Sequence, residues 1–274
     1  MKLQQLFRAL PPRLAKYCLV LPALLLLASC KKDPASEEFI EKFWNVDLNT
    51  RNVVPGLPGR TGHAACLLYL TDNRDLYYDV YFDTLDAAET IGEIALFTGA
   101  PSANGTPLVT LGAGVSSANK TKGKVRLDTT QINALNRQPV YLSIASKSAP
   151  AGFVRGQLGK KIIYAADVNL SGAGVTPPVT TPASGSVFLR VTEDNVLHYY
   201  LQVTGLPADD QLTAAHIHKG TDLSLVLATV DTAYNKPMTT QITAAYLTSL
   251  QSDALQVDVH SQNFVNGLLN GILR

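Results

Sequence analysis

The sequence lacks the motifs of common enzyme classes and the charge of a nucleic-acid-binding protein. It contains neither a glycine-rich phosphate loop nor a Gly-X-Ser-X-Gly nucleophile motif. Its formal net charge is +1, so there is no electrostatic basis for binding nucleic acid. Charged residues are only 16% of the chain, against about a quarter in a typical domain. The sequence therefore favours a binding or structural role over a catalytic one.

Cysteine is too scarce to build a disulfide framework. Of the three cysteines, Cys18 lies in the N-terminal leader and Cys30 directly follows it. Cys66 is then alone in the mature chain and cannot form an intrachain disulfide. Because it lies in the apolar run "HAACLLYL", we expect a small buried core residue rather than a reactive thiol.

The N-terminal hydrophobic run is too short to span a bilayer comfortably. Segment 17–27 has eleven residues, one of them a proline, and basic residues precede it. This order is typical of a secretory signal rather than of a transmembrane helix.

The leader ends in "LASC", residues 27–30. This motif resembles the lipobox of bacterial lipoproteins, in which cleavage precedes the cysteine and its thiol receives lipid. The resemblance implies a signal peptide at 1–29, lipidation at Cys30 and a tether at 30–41. Membrane attachment would then run through the lipid, and Lys31, in place of an aspartate, favours the outer membrane. The alternative is an ordinary cleaved signal followed by an unrelated cysteine.

The rest of the chain consists of two copies of one repeat unit. "LTDNRDLYYDVYFDTL" at 70–85 aligns with "VTEDNVLHYYLQVTGL" at 191–206, with a constant offset of 121. "YLSIASKSAPAGFVRGQL" at 141–158 aligns with "QVDVHSQNFVNGLLNGIL" at 256–273, with an offset of 115. We therefore expect two domains, at 42–160 and 164–274.

Each unit has the pattern of short strands. Apolar Leu76, Val80 and Phe82 alternate with polar residues at a period of two, and "TDNRD" and "TEDN" predict tight hairpin turns. Only 129–136 and 243–253 indicate short helices. The prediction is an all-β fold of two tandem antiparallel β-sandwich or barrel domains.

The opening "VP…G", the central "AAHIHKG" and the closing "VDVH…NG…NGIL" resemble the CHRD domain, named after chordin and also found in microbial secreted proteins. The first unit's "PAGFVRGQL" is close to the family's closing motif. The resemblance covers nearly all of the mature chain as two copies. It implies an immunoglobulin-like β-fold, and in chordin such domains belong to an extracellular protein that binds signalling ligands.

The closing motif supplies a candidate structural set: Gly152, Arg155, Gly156 and Gln157. Arg155 is expected to make a charge-assisted hydrogen bond that pins the closing strand. The second unit has Asn270 at the matching position, so this role is not shared.

The family pattern carries His-X-His in the middle and a further histidine near the end. These map to His216, His218 and His260, whereas the first unit has alanine, phenylalanine and alanine at the aligned positions 95, 97 and 145. The fold therefore does not require the three histidines, and their joint absence indicates that they act as a set. His63 and His198 are isolated, and we interpret them as incidental.

Strand geometry predicts that these histidines share a face. Residues two apart point to one side of a strand, and His260 lies on the polar side of its own strand beside Asp258. Three imidazoles are good ligands for Zn²⁺ or Cu²⁺, with Asp258 as a fourth ligand or an orienting group. The alternative is a hydrogen-bonded polar cluster or a surface that binds a partner.

The leading hypothesis is a non-enzymatic, lipid-anchored binding or structural protein of the cell envelope. A metal-binding protein or metalloenzyme using the three histidines is the second hypothesis. The third is an adhesin or glycan-binding protein, based on Tyr77, Tyr81 and Tyr200 on polar strand faces. The expected partner of the protein is another envelope protein or a glycan.

Overall fold

The computed structural model describes residues 38–85, 89–114 and 119–274. The signal peptide expected at 1–29 and the lipid site expected at Cys30 lie outside the described residues. No helix in the described part of the chain is long and apolar enough to cross a membrane. All of the strands below belong to one compact unit, Ile40–Arg274.

Domain 1 is the part of this unit that spans the first eight strands and one α-helix. They are β1 (Ile40–Asn49), β2 (Gly62–Thr71), β3 (Asp75–Leu85), β4 (Ile91–Thr98), β5 (Thr106–Ala113), β6 (Lys120–Arg126), α1 (Thr129–Arg137), β7 (Val140–Ser146) and β8 (Val154–Gln157). A 3₁₀ helix, Thr50–Asn52, follows β1.

Domain 2 repeats the series. Its elements are β9 (Ile162–Ser171), β10 (Ser184–Thr192), β11 (Val196–Thr204), β12 (Leu212–Lys219), β13 (Asp222–Ala228), β14 (Pro237–Gln241), α2 (Ala244–Ser252), β15 (Leu255–Ser261) and β16 (Leu269–Ile272). The 3₁₀ helices are Gly172–Gly174 and Asp231–Ala233.

Each domain is one antiparallel sheet of eight strands with the same order. The order is β5-β4-β7-β8-β1-β2-β3-β6 in domain 1 and β13-β12-β15-β16-β9-β10-β11-β14 in domain 2. Each sheet curls around its own apolar core in a barrel-like form. The prediction of two tandem all-β antiparallel domains is confirmed, and the two short α-helices lie where the sequence predicts them.

The two-residue period places the core. Leu76, Val80 and Phe82 of β3 are all at most 1% exposed, as the alternation predicts. Cys66 of β2 is completely buried among them, and burial raises the pKa of its thiol to about 12. The expectation of a small buried core residue at Cys66 is therefore confirmed.

A close backbone approach joins the two halves of each sheet. The short strand β8 meets β1 through the pair Asn49–Arg155 alone, and β16 meets β9 in the corresponding way. A Cβ on Gly156 would lie 2.4 Å from the Asp47 carbonyl oxygen. Gly271 has the same relation to the next sheet, 2.4 Å from the Asn169 carbonyl oxygen. Only glycine permits this approach, which accounts for its presence in both closing motifs.

The two domains contact each other through Arg190 of β10, which is 0% exposed. Its guanidinium donates to the carbonyl oxygens of Asn52 and Val53 in domain 1. It also donates to the carboxylate of Asp167 in domain 2, which accepts the backbone N–H of Gly56 as well. Charge-assisted bonds away from water therefore hold the loop after β1 onto the outer face of domain 2.

We expect Gly156→Ala to destabilise domain 1 by about 1–3 kcal/mol, because the added methyl group must displace the backbone of β1. Urea unfolding followed by circular dichroism measures this loss. Gly92→Ala on β4 is the matched control, since its Cβ would meet Ala145 O at an ordinary 3.6 Å. We expect the control to change stability by less than about 0.5 kcal/mol. Equal stability of the two variants would contradict the constraint.

Candidate metal centre

Two neighbouring strands of domain 2 carry the histidine set on one face. His216 and His218 project from β12, while Asp258 and His260 project from β15, with His216 directly opposite Asp258 in the antiparallel register. Ile217, between the first two histidines, points into the core and is fully buried. The alternation of the strand therefore separates a core side from a polar side at this point.

Asp258 lies at the centre of the three imidazoles. Its carboxylate oxygens lie 3.5 Å from His216 Nδ1, 3.2 Å from His218 Nε2 and 3.2 Å from His260 Nε2. The ring of His216 is 5.5 Å from that of His218 and 5.2 Å from that of His260, between centroids. The structure thus brings all four predicted residues into one cluster.

The facing atoms of this cluster are buried polar groups without a hydrogen bond. His216 Nδ1, His218 Nε2, His260 Nε2 and Asp258 Oδ1 make no hydrogen bond of good geometry, although each lies 3.2–3.5 Å from a partner in the cluster. A buried polar atom left in this state costs about 1–3 kcal/mol. The four side chains are nonetheless 17–21% exposed, so a small ion can reach them from solvent.

A main-chain contact sets the tautomer of His260. Its Nδ1 lies 3.0 Å from the carbonyl oxygen of Val265, which can only accept, so Nδ1 carries the proton. Nε2 is then left with a lone pair directed at the cluster. This is the usual way in which an outer hydrogen bond orients a metal-ligating imidazole.

The electrostatics of the cluster are those of one anion among three bases. Burial raises the pKa of Asp258, but His260 and the charges of the other imidazoles outweigh it, so the net pKa is lowered. Contact with Asp258 raises the pKa of His260, whereas burial lowers the pKa of His216. The carboxylate is therefore ionised at neutral pH, and His216 binds a proton less readily than His260.

The donor set fits a small transition-metal ion. One ligand atom from each of His216, His218 and Asp258 can be chosen so that all lie within 4.8 Å of one another. His260 lies outside this group of three, and zinc bonds of about 2.0–2.2 Å require donors closer together than 4.8 Å, so the side chains would have to move inward to bind an ion.

At the matching place, domain 1 has two stacked aromatic rings and a guanidinium group. Phe97, at the position of His218, stacks on Tyr141 with 5.3 Å between ring centroids. The guanidinium carbon of Arg155 lies 3.6 Å from the centre of that same ring. Ala95 and Ser143 stand where domain 2 has His216 and Asp258, so this end of domain 1 has none of the three imidazoles.

Arg155 is 2% exposed and bonds to main-chain oxygens rather than to a carboxylate. It donates to the carbonyls of Ala100 and Ala103 and to the side-chain oxygen of Asn104. Gln157 donates to the carbonyl of Gly99 in the same loop. The closing motif thus binds the loop after β4.

The remaining predicted glycine of the motif, Gly152, has a φ of 140°, a backbone conformation that favours glycine. Gly267 has a φ of 133° at the aligned position in domain 2. The turn before the closing strand is therefore the same in both domains.

Sequence reasoning set His63 aside, yet the structure places it between two carboxylates. Its Nδ1 lies 2.8 Å from Asp83 and its Nε2 3.0 Å from Asp47. The contacts with Asp47 and Asp83 raise the pKa of His63, although burial acts to lower it. No local spacing signals this arrangement, because the three residues come from three different strands.

Two of the three predicted tyrosines lie on an outer sheet face. Tyr81 is 45% exposed on β3, and Tyr77 stacks on Tyr69 beside it. Tyr200 instead stacks on Phe188, in a cleft lined by both domains.

Comparison with known proteins places both repeats in one family. The family model described as the CHRD domain matches residues 44–158 and again 166–273. The chain is similar to chordin of Xenopus laevis, at 31% identity over 104 residues, which is 35% of this chain and 11% of that protein. It is also similar to chordin of Danio rerio, at 31% identity over 101 residues, or 34% of this chain and 11% of that protein.

The chain therefore spans about a tenth of the length of these curated relatives. No solved structure matches the chain.

We expect Asp258→Asn to lower the pKa of His260, because it removes the carboxylate that raises this pKa and leaves the opposing effect of burial. Protonated His260 contributes stability below its ordinary pKa of 6.5, and this contribution is lost as pH rises through the raised folded-state value. The substitution should therefore destabilise the metal-free protein mainly in acid.

Proton NMR titration of the imidazoles measures the change, with urea unfolding at acidic and alkaline pH as the second readout. His63 is the internal control, because its carboxylates are Asp47 and Asp83. An unchanged pKa of His260 would mean that Asp258 does not act on it.

Proposed function

We propose, from the premise that this chain belongs to the CHRD domain family, that it is a non-enzymatic binding protein of the bacterial cell envelope. In this proposal lipid at Cys30 attaches it to the membrane, most simply the outer membrane. Domain 2 binds one divalent transition-metal ion, zinc or copper, through His216, His218, His260 and Asp258. Domain 1 is a scaffold copy without that site.

The observation that carries the proposal is the convergence of three imidazoles on one carboxylate, with four facing atoms that make no hydrogen bond. A structural polar cluster would satisfy these atoms internally, because unsatisfied buried groups destabilise the fold. A bound cation satisfies all four at once. Imidazole nitrogen is a favourable ligand for both zinc and copper.

The number of donors favours binding over catalysis. With His260 added to the group of His216, His218 and Asp258, three imidazoles and one carboxylate would complete a four-coordinate shell. Catalytic zinc sites instead keep one position open for water or substrate. A closed shell on two paired strands is suited to stabilising domain 2 or to making its binding surface dependent on metal.

The envelope location rests on the order of features in the leader. Basic residues, a short apolar run and "LASC" occur in the sequence that a lipoprotein signal requires. Several acyl chains on Cys30 would give stable attachment, since each buried methylene contributes about 0.8 kcal/mol.

We expect the purified full-length protein, loaded with Zn²⁺ or Cu²⁺ and dialysed, to retain about one ion per chain, since four donors make one coordination shell. The double variant His216→Ala with His218→Ala should lose the ion. Loss of an outer-shell partner alone typically lowers affinity by about 10–100-fold, so loss of two ligands should exceed that range. Elemental analysis gives the stoichiometry, and competition with a chromophoric chelator gives the affinity.

The matched control is His63→Ala with His198→Ala, which removes two histidines outside the cluster and should leave one ion bound. A parent protein without metal after loading would refute the metal site. Equal loss in both double variants would assign the metal to nonspecific binding. Metal-dependent turnover in the purified protein would contradict the non-enzymatic role.

A further inference from the structure

In domain 1, the outer face of strands β1, β2, β3 and β6 carries aromatic and basic side chains in register. Phe43, Tyr69, Tyr77 and Lys124 form one row across β1, β2, β3 and β6. Tyr81 and Lys120 are paired two rows further along. Phe43 is 59% exposed, a large value for an aromatic side chain in a strand.

The charge of this face is positive. Edge strand β6 presents Lys120, Lys122, Lys124 and Arg126 on one side, since all four are exposed and alternate with half-buried residues. In the same rows β3 contributes two carboxylates, Asp75 and Asp79. β1 adds Asp47 in the row of Tyr81 and Lys120, so the four cations exceed the three anions by one, and the positive charge is concentrated on β6.

The aromatic rings of this face already have neighbours on their ring faces. Tyr69 and Tyr77 stack on each other with 4.7 Å between centroids and 7° between planes. The ammonium of Lys124 lies 5.1 Å from the centre of the Tyr77 ring, and that of Lys120 lies 5.0 Å from the centre of the Tyr81 ring. Because these faces are already covered, stacking of a sugar ring on Tyr77 is disfavoured, which counts against the glycan hypothesis here.

Domain 2 shows why a second copy of this chain is a poor occupant. Domain 1 contacts part of the matching outer face of domain 2, where Arg190 donates to the carbonyl oxygens of Asn52 and Val53. Domain 1 has Tyr69 at the position of Arg190, so the donor that binds the incoming loop is absent. The loop after β4, whose Ala103 and Asn104 line the cleft with domain 2, is also shorter in domain 2, where only two residues separate β12 from β13.

The position of the face in the chain points to a different occupant. Ile40 and Phe43 line its groove, and Ile40 is ten residues from Cys30. A chain of that length extends at most about 33–36 Å. A lipid on Cys30 would therefore keep Ile40, at one end of this face, within that distance of the bilayer surface. Amphipathic tyrosines and long lysines are the side chains that favour a membrane–water interface.

We propose that the face formed by Phe43, Leu67, Tyr69, Tyr77, Tyr81 and the lysines of β6 docks on the anionic headgroup surface of the bilayer that anchors the protein. This inference rests on the lipid anchorage proposed above. Docking would fix domain 1 on the membrane through aromatic side chains and lysines together. Each lysine near an anionic surface raises partitioning by about fivefold.

A site-specific label tests the contact on the full-length, lipidated protein in vesicles of phosphatidylcholine with phosphatidylglycerol. Tyr81→Cys and Gln202→Cys occupy matching positions on β3 and β11, and both side chains are exposed. Cys66 is buried and will not take the label. We expect a fluorophore at position 81 to shift to shorter wavelength and to be quenched severalfold less by iodide than one at position 202.

Charge reversal supplies the second arm. Lys120→Glu with Lys122→Glu should return the label at position 81 to the aqueous value. Lys147→Glu with Lys236→Glu, which removes the same charge at two other exposed positions, should not.

Vesicle flotation separates the two hypotheses. Protein that does not float refutes the anchorage, and its label is then read with vesicles added to the free protein, where protection at position 81 still supports the docking face. Floating protein with equal quenching at positions 81 and 202 overturns the docking. Protection at position 81 without vesicles would assign the face to a second copy and overturn it as well.

Discussion

Each domain depends on a short closing strand that lies against the first strand too closely for any side chain. At Gly156 the obstacle is the carbonyl of Asp47, and at Gly271 it is the carbonyl of Asn169. These approaches connect β4 and β7 of domain 1, and β12 and β15 of domain 2, to the rest of their sheets. The histidine face is formed by the direct pairing of β12 with β15, and the second of these connections joins that pair to the other half of the sheet.

The same scaffold serves two different ends in the two domains. Domain 1 packs Phe97, Tyr141 and Arg155 where domain 2 has imidazoles, and its nearby loops contact domain 2. Domain 2 keeps a polar, partly accessible cluster at that place. The outer faces of the two domains also differ. Domain 2 uses Arg190 on this face to bind domain 1, whereas domain 1 exposes aromatic side chains and lysines there. Repetition followed by exchange of a few side chains thus supplies a scaffold, an internal interface and two distinct exposed surfaces.

Short-range patterns predicted most of the fold. The alternation of Leu76, Val80 and Phe82 located the core side of β3, and the 121-residue and 115-residue offsets identified two domains and the histidine set. Contacts between distant segments were not predictable. The carbonyl that sets the tautomer of His260 comes from Val265, a residue with no polar side chain. His63 acquires two carboxylates only when β1, β2 and β3 align. The sequence around Arg190 does not indicate its partners, because they lie in domain 1. Lipidation at Cys30 and metal binding at the histidines stay predictions.

The most direct measurement is X-ray absorption at the zinc edge of the zinc-loaded protein. Three imidazole ligands should give a nitrogen and oxygen shell at about 2.0–2.1 Å together with outer-shell scattering from the imidazole rings. Substitution of His216 and His218 by alanine should remove most of that scattering. A spectrum of water and carboxylate oxygens without ring scattering, or one that the substitutions do not change, would contradict the assignment of the cluster as a metal site.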